Sequence, residues 1–158
     1  MGFQIPDKGS IFYRNNELHK NNIEKYRREM CWLPQNVNIL GRGQVENIIF
    51  HPFSFAENKK NKPQRERVLQ TLSSLNLNAD ITDAVFENLS GGEKQRIGIL
   101  ICMLLKKPLI LLDEPSSALD RDSIRIVIDL ILKDDKKTVL SASHDEEWLS
   151  HCDKIVEL

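Results

Sequence analysis

At 158 residues, with 41% hydrophobic and 28% charged side chains, the chain has ordinary globular proportions and can bury one core. Its 22 basic and 23 acidic residues leave a formal net charge of -1, which excludes a long-range field drawing it to nucleic acid or anionic lipid. The longest apolar stretch, Ile97 to Leu105, is far short of the roughly 20 residues that cross a bilayer; with no apolar leader and with Cys31, Cys102 and Cys152 in no metal-type spacing, a reducing cytosol is expected.

Along the chain, a turn at Pro6-Asp7-Lys8-Gly9 precedes a short strand, Ser10 to Tyr13, and the polar stretch holding Ile23 and Tyr26 reads as a short helix. Met30 to Leu33 is a buried strand halted by Pro34. From there to Leu89 the composition is polar and loop-rich, the pattern of an inserted, mostly helical lobe. Val68, Leu72 and Leu75 mark one helix face in it. Lys59, Lys60, Lys62, Arg65 and Arg67 have no interleaved aromatics for base stacking and read as a solvated face, so no nucleic-acid partner is expected.

After Leu89 the pattern alternates between helix and strand. A largely apolar helix spans Glu93 to Lys106, a continuous apolar strand Leu109 to Leu112, a helix carries Ile124, Val127, Ile128 and Ile131, and a strand runs from Thr138 to Ala142. Strands apolar on both sides belong to a parallel sheet covered by helices, which makes the fold α/β. Trp148 and Leu149 pack a short closing helix, and His19, His51 and His151 have no metal-ligand spacing.

Two segments carry chemistry. Leu109 to Pro115 is an apolar strand ending in Asp113 and Glu114, and ligands gather at the carboxyl ends of parallel strands. There one carboxylate suits a hard cation such as Mg2+ while its neighbour polarises an attacking water; a plain solvated turn is the other reading of the same residues. Leu89 to Arg96 opens the buried helix. Ser90 and Glu93 form a capping box, whereas Gly91 and Gly92 permit close backbone approach to phosphate oxygens at the positive helix end; capping alone is the competing account.

Taken together, these segments resemble the ATP-hydrolysing domain of ABC transporters. Leu89 to Arg96 is similar to the signature motif, Leu109 to Pro115 to the Walker B strand, Ser117-Ala118-Leu119-Asp120 to the D-loop and Ser143-His144-Asp145 to the H-loop. Leu33-Pro34-Gln35 is similar to the Q-loop, and Val45-Glu46-Asn47-Ile48 to the segment after it.

The resemblance implies a P-loop NTPase (RecA-like) parallel sheet flanked by helices, with residues 1–35 and 90–158 as the core and 36–89 as the helical subdomain. It implies ATP and Mg2+ as ligands. Asp113 would hold the metal, Gln35 would contact metal or water, Glu114 would be the general base and His144 would bond the γ-phosphate. Ser90, Gly91, Gly92 and Glu93 would face nucleotide held by a second nucleotide-binding subunit, with Asp120 at that homo- or heterodimer interface. A transmembrane permease subunit is the further partner, placing the chain peripherally on the inner membrane face. The lobe has neither heptads nor cysteine pairs, so a transporter is expected rather than a DNA-repair member, and the short ending resembles compact bacterial subunits such as iron or metal exporters.

One departure stands out. No GxxxxGK(S/T) loop exists: Gly41 and Gly43 precede no suitable lysine, and Lys137-Thr138 follows no glycine. The stretch from Gly2 to Gly9 is similar to family sequence just beyond the helix after that loop. The expectation is therefore a domain lacking its first strands, which by itself is marginal, dimerises or swaps elements, or is a truncated piece of a longer protein. The rival reading is a non-catalytic module that donates its signature motif to a complete partner.

Overall fold

The computed structural model describes residues 6–134 and 137–157. The stretch Gly2 to Ile5 compared with the family above lies outside them. Three strands form the centre: β3 (Met30–Leu33), β4 (Leu109–Asp113) and β5 (Thr138–Ala142), all parallel, in the order β3–β4–β5. Register places Trp32, Leu111 and Leu140 side by side, with Cys31, Ile110 and Val139 in the next row on the opposite side.

Parallel neighbours need long crossovers, and helices supply them. Between β3 and β4 come α2 (Val45–Phe50), α3 (Arg65–Ser74) and the 15-residue α4 (Gly91–Leu105); between β4 and β5 comes α5 (Arg121–Ile131). Ile97, Ile99, Leu100 and Leu104 of α4 and Ile124, Val127, Ile128 and Ile131 of α5 join Cys31, Leu33, Ile110 and Leu112 in one buried cluster. Gly98 permits this packing, because a Cβ there would collide with Leu33 Cδ1. Cys31 and Cys102 are distant in sequence but meet at this seam, Sγ to Sγ 2.8 Å, both as free thiols. Hydrogen bonding to Cys31, then burial, pushes the Cys102 thiol well above its ordinary pKa.

The sequence leads one to expect cover on both sides of the sheet, and this is corrected. Ile110 and Leu112 are 0% and 3% exposed, whereas Trp32 is 39% and Leu140 65% exposed. Among the described residues, the face of Trp32 and Leu140 is left largely bare at the carboxyl end of the strands, while Met30 on the same side of β3 is 7% exposed. β5 alternates accordingly instead of being buried throughout, and of the four residues of β3 only Trp32 is exposed.

Residues 37–89 are short helices and 3-10 turns, as the polar composition implies. Their apolar residues, among them Val45, Ile49, Phe53, Leu72 and Phe86, continue the same buried cluster through α4. At the start, the expected strand from Ser10 is shorter: β1 (Phe12–Tyr13) pairs antiparallel with β2 (Asn16–Glu17). Arg14 and Asn15 both have positive φ, 49° and 62°, the arrangement of a tight hairpin turn. The hairpin leans on α1 (Ile23–Arg27) through a Tyr13–Tyr26 edge contact of 5.5 Å and on Glu29 through Arg14 at 2.8 Å.

Candidate functional site

β4 delivers Asp113 to its carboxyl end, where Asp113 pairs with Ala142, and the strand then turns sharply. Glu114 makes that turn with φ 48°, a left-handed setting costing a non-glycine residue on the order of 1–3 kcal/mol unless its surroundings enforce it. Here they do. Glu114 N donates to Ala142 O (2.9 Å), while the Glu114 carbonyl accepts from Ser117 N (3.3 Å) and Ser117 Oγ (3.0 Å). The result aims the Glu114 carboxylate across the strand ends toward His144, with Oε1 3.5 Å from Nε2.

The two partners differ in exposure: the Glu114 side chain is 18% exposed and His144 97%. His144 is nonetheless rooted. Ser143 Oγ accepts from Asp145 N, Asp145 caps α6 (Glu146–Leu149) by accepting from Trp148 N at 2.7 Å, and the fully buried Trp148 donates from its indole to Ser141 Oγ at 2.9 Å. The expected closing helix is therefore present and holds the histidine loop against β5.

The start of α4 lies beside this turn. Ser90 Oγ accepts from Glu93 N at 3.3 Å and Glu93 Oε2 accepts from Ser90 N at 2.8 Å, completing the capping box. The Ser90 hydrogen bonds hold the Glu93 carboxyl below its usual pKa. Gly92 is where the close approach happens, since a Cβ there would lie 2.9 Å from the Ala118 carbonyl oxygen. Ser90 and Gly91 are exposed and point this helix start away from the core. Asp120 caps α5 by accepting from Ser123 N at 2.7 Å, and that bond lowers its pKa. Gln35, exposed, follows β3 at the same end of the sheet, since Leu33 pairs with Leu112 directly before Asp113.

A cavity of about 240 Å3 lies on the uncovered face, lined by Trp32, Leu111, Leu112, Asp113, Leu140 and Ala142. A second of about 300 Å3 lies at the opposite end of the sheet beside Met30 and Lys107, away from the carboxylate pair. Asp113, Glu114, His144 and Gln35 thus share one end of the sheet, and Ser90 to Glu93 adjoin it through Ala118. Sequence reasoning gave no role to Gln95 or Arg96. Gln95 is buried and donates to Pro115 O at 3.1 Å; Arg96 Nη1 donates to Leu75 O and Asn76 O at 3.2 and 3.1 Å. The available signal was a polar side chain at the core edge of an apolar helix.

The sequence pattern of the family described as ABC transporter matches residues 1–117. This chain belongs to that family. The carnitine transport ATP-binding protein OpuCA of Listeria monocytogenes is 31% identical over 158 residues, covering 96% of this chain and 39% of its own length. The probable iron export ATP-binding protein FetA of Escherichia coli is 28% identical over 156 residues, 97% of this chain and 68% of that one. This ABC family chain therefore spans well under half of the carnitine protein.

Among solved structures, cbiO1 from Clostridium perfringens, part of the ABC transporter complex cbiONQ, superposes with a TM-score of 0.74 at 24% identity over 96% of this chain and 62% of that one. It shares the fold, an ABC cassette with a parallel sheet flanked by helices. No helix among the described residues is long and apolar enough to cross a membrane.

Proposed function

We propose that this chain is the hydrolytic and signature-bearing part of an ATP-driven transport cassette, acting across a head-to-tail pair of such chains. The observation that carries the proposal is the enforced left-handed turn at Glu114, which holds a carboxylate at the strand ends 3.5 Å from His144. A general base must be fixed within reach of the water it deprotonates, and a strained turn held from several sides does that.

Asp113 fits a hard cation. It is part-buried at the strand end, lines the cavity, and has no cationic side chain paired with it among the described residues. No three His, Cys, Asp or Glu side chains converge among those residues, so Asp113, with Gln35 nearby, would share Mg2+ with phosphate and water oxygens. When bound, Mg2+ supplies charge neutralisation at the phosphates. Glu114 takes the proton of the attacking water, His144 donates a hydrogen bond toward the oxygen that gains charge, and Gln35 orients the water. Gly91 and Gly92, in the first turn of the capped helix beside the exposed Ser90, present N–H groups that have no intrahelical acceptor to phosphate bound by the second subunit.

This sequence holds no lysine loop, so the proposal requires a segment that supplies one, and the exposed apolar side chains of Trp32 and Leu140 offer a surface against which such a segment would pack. The relatives share an ATP-binding role while their cargoes differ, carnitine in one and iron in another. What carries over is therefore the ATP-driven step, coupled to a permease on the inner face of the membrane. The exposure of Ser90 and Gly91 also favours one second reading: a module that donates this motif in trans and hydrolyses nothing.

ATP titration and phosphate release decide between them. The chain joined to a segment carrying the loop should hydrolyse ATP, and Glu114→Gln should lower the rate by about 100-fold or more. Hydrolysis unaffected by Glu114→Gln sinks the catalytic reading, restored binding without hydrolysis favours the module, and tight ATP binding by the present chain contradicts both.

A further inference from the structure

Gln95 is the buried polar residue closest to the start of α4. It is 1% exposed, and the helix beyond Arg96 is apolar to Leu105 apart from Gly98. A buried amide is tolerated where its hydrogen bonds are made, and Gln95 makes its own with Pro115, twenty residues away in sequence, in the turn that carries Glu114.

Three supports hold that turn. From β5, Ala142 O accepts from Glu114 N; from within, Ser117 donates twice to the Glu114 carbonyl; from the α4 side, Gln95 donates to the Pro115 carbonyl. The glycines make the last one possible, because Gly92 meets Ala118 at a distance a side chain would forbid. Gln95 is the side chain that reaches the turn from the glycine-rich helix itself.

We infer that Gln95 is a positioning residue that clamps the Pro115 carbonyl, keeps the Glu114 turn in its left-handed setting, and ties the Ser90–Gly92 helix start to the hydrolytic carboxylate of the same chain. The functional half rests on the reading of Glu114 as base; the clamp itself does not. A phosphate gripped at Ser90–Gly92 from the outer side would then bear, through one helix turn, on how Glu114 is set for nucleotide on its own side. The two halves of a paired site would communicate within a single polypeptide.

Hydrogen exchange on the present chain tests the clamp. Gln95→Met keeps the shape and removes the donor, and the amides of Ser117 and Leu119 should exchange about tenfold faster while Ile110 and Leu112 stay unchanged. If that variant does not melt cooperatively, Gln95→Asn, which keeps the amide one methylene short, should give a smaller acceleration at the same two amides. In the loop-completed protein, Gln95→Met should lower kcat about tenfold with the KM for Mg-ATP unchanged, a split that general loss of structure would not give.

Unchanged exchange at Ser117 and Leu119 overturns the clamp. An unaltered kcat, or a loss confined to KM, overturns its role in hydrolysis. Should Glu114→Gln leave hydrolysis intact, the catalytic reading falls separately and exchange alone decides the contact.

Discussion

The two faces of the sheet are built to different standards. On one, Ile110 and Leu112 sit under α4 and α5, with Gly98 letting helix and strand approach to the limit set by Leu33. On the other, Trp32, Leu111 and Leu140 form an apolar row with little over it. Burial is worth roughly 25 cal/mol per Å2 of apolar surface, so the first face holds most of the stability of the fold. The second face, with Asp113 at its rim, is where the fold stays open to something else.

Substitutions sharpen the contrast. Ile110→Ala should cost about 2–5 kcal/mol, read as a lowered urea midpoint, because the surrounding helices cannot collapse onto the space. Gly98→Ala comes next at about 1–3 kcal/mol, since the new methyl must displace Leu33 even though alanine is the better helix former. Ser90→Ala should cost about 1 kcal/mol through the lost cap.

That cap carries a pH signature. Glu93 has a depressed pKa in the fold, so its contribution is present above the usual glutamate value and disappears as pH falls through the lower folded value. The stability gap between wild type and Ser90→Ala should be full at neutral pH and narrow in acid; a gap that widens in acid would contradict the capping account. Smallest of all, Leu140→Ser should change stability by no more than about 0.5 kcal/mol, since the side chain is already in water. A large loss there would mean that the exposed row is covered in solution.

Much of this was legible in the residues. The apolar run at Leu109, the Ile124–Ile131 spacing and the Ser90–Glu93 box place β4, α5 and the start of α4 within a residue or two, because each is a local pattern. The strand ends also bring Asp113, Glu114 and His144 together as the motif order implies. The hairpin at Arg14-Asn15 was not legible, since arginine is an unusual occupant of a left-handed position and no Asn-Gly pair announces the turn. Nor was the bare face: an apolar strand residue looks the same whether or not a helix lies over it. The Gln95 contact joins positions twenty apart, and only the meeting of α4 with the turn after β4 creates it.

Residues 95 and 96 face different neighbours. Arg96 grips the carbonyls that end α3, while Gln95 grips the turn beside the carboxylates. Mechanical strain entering the lobe at Leu75 and Asn76 therefore leaves it at Pro115 after crossing a single peptide unit. The backbone joining the lobe to the turn after β4 is thus as short as a chain allows, with one side-chain donor on either side of it.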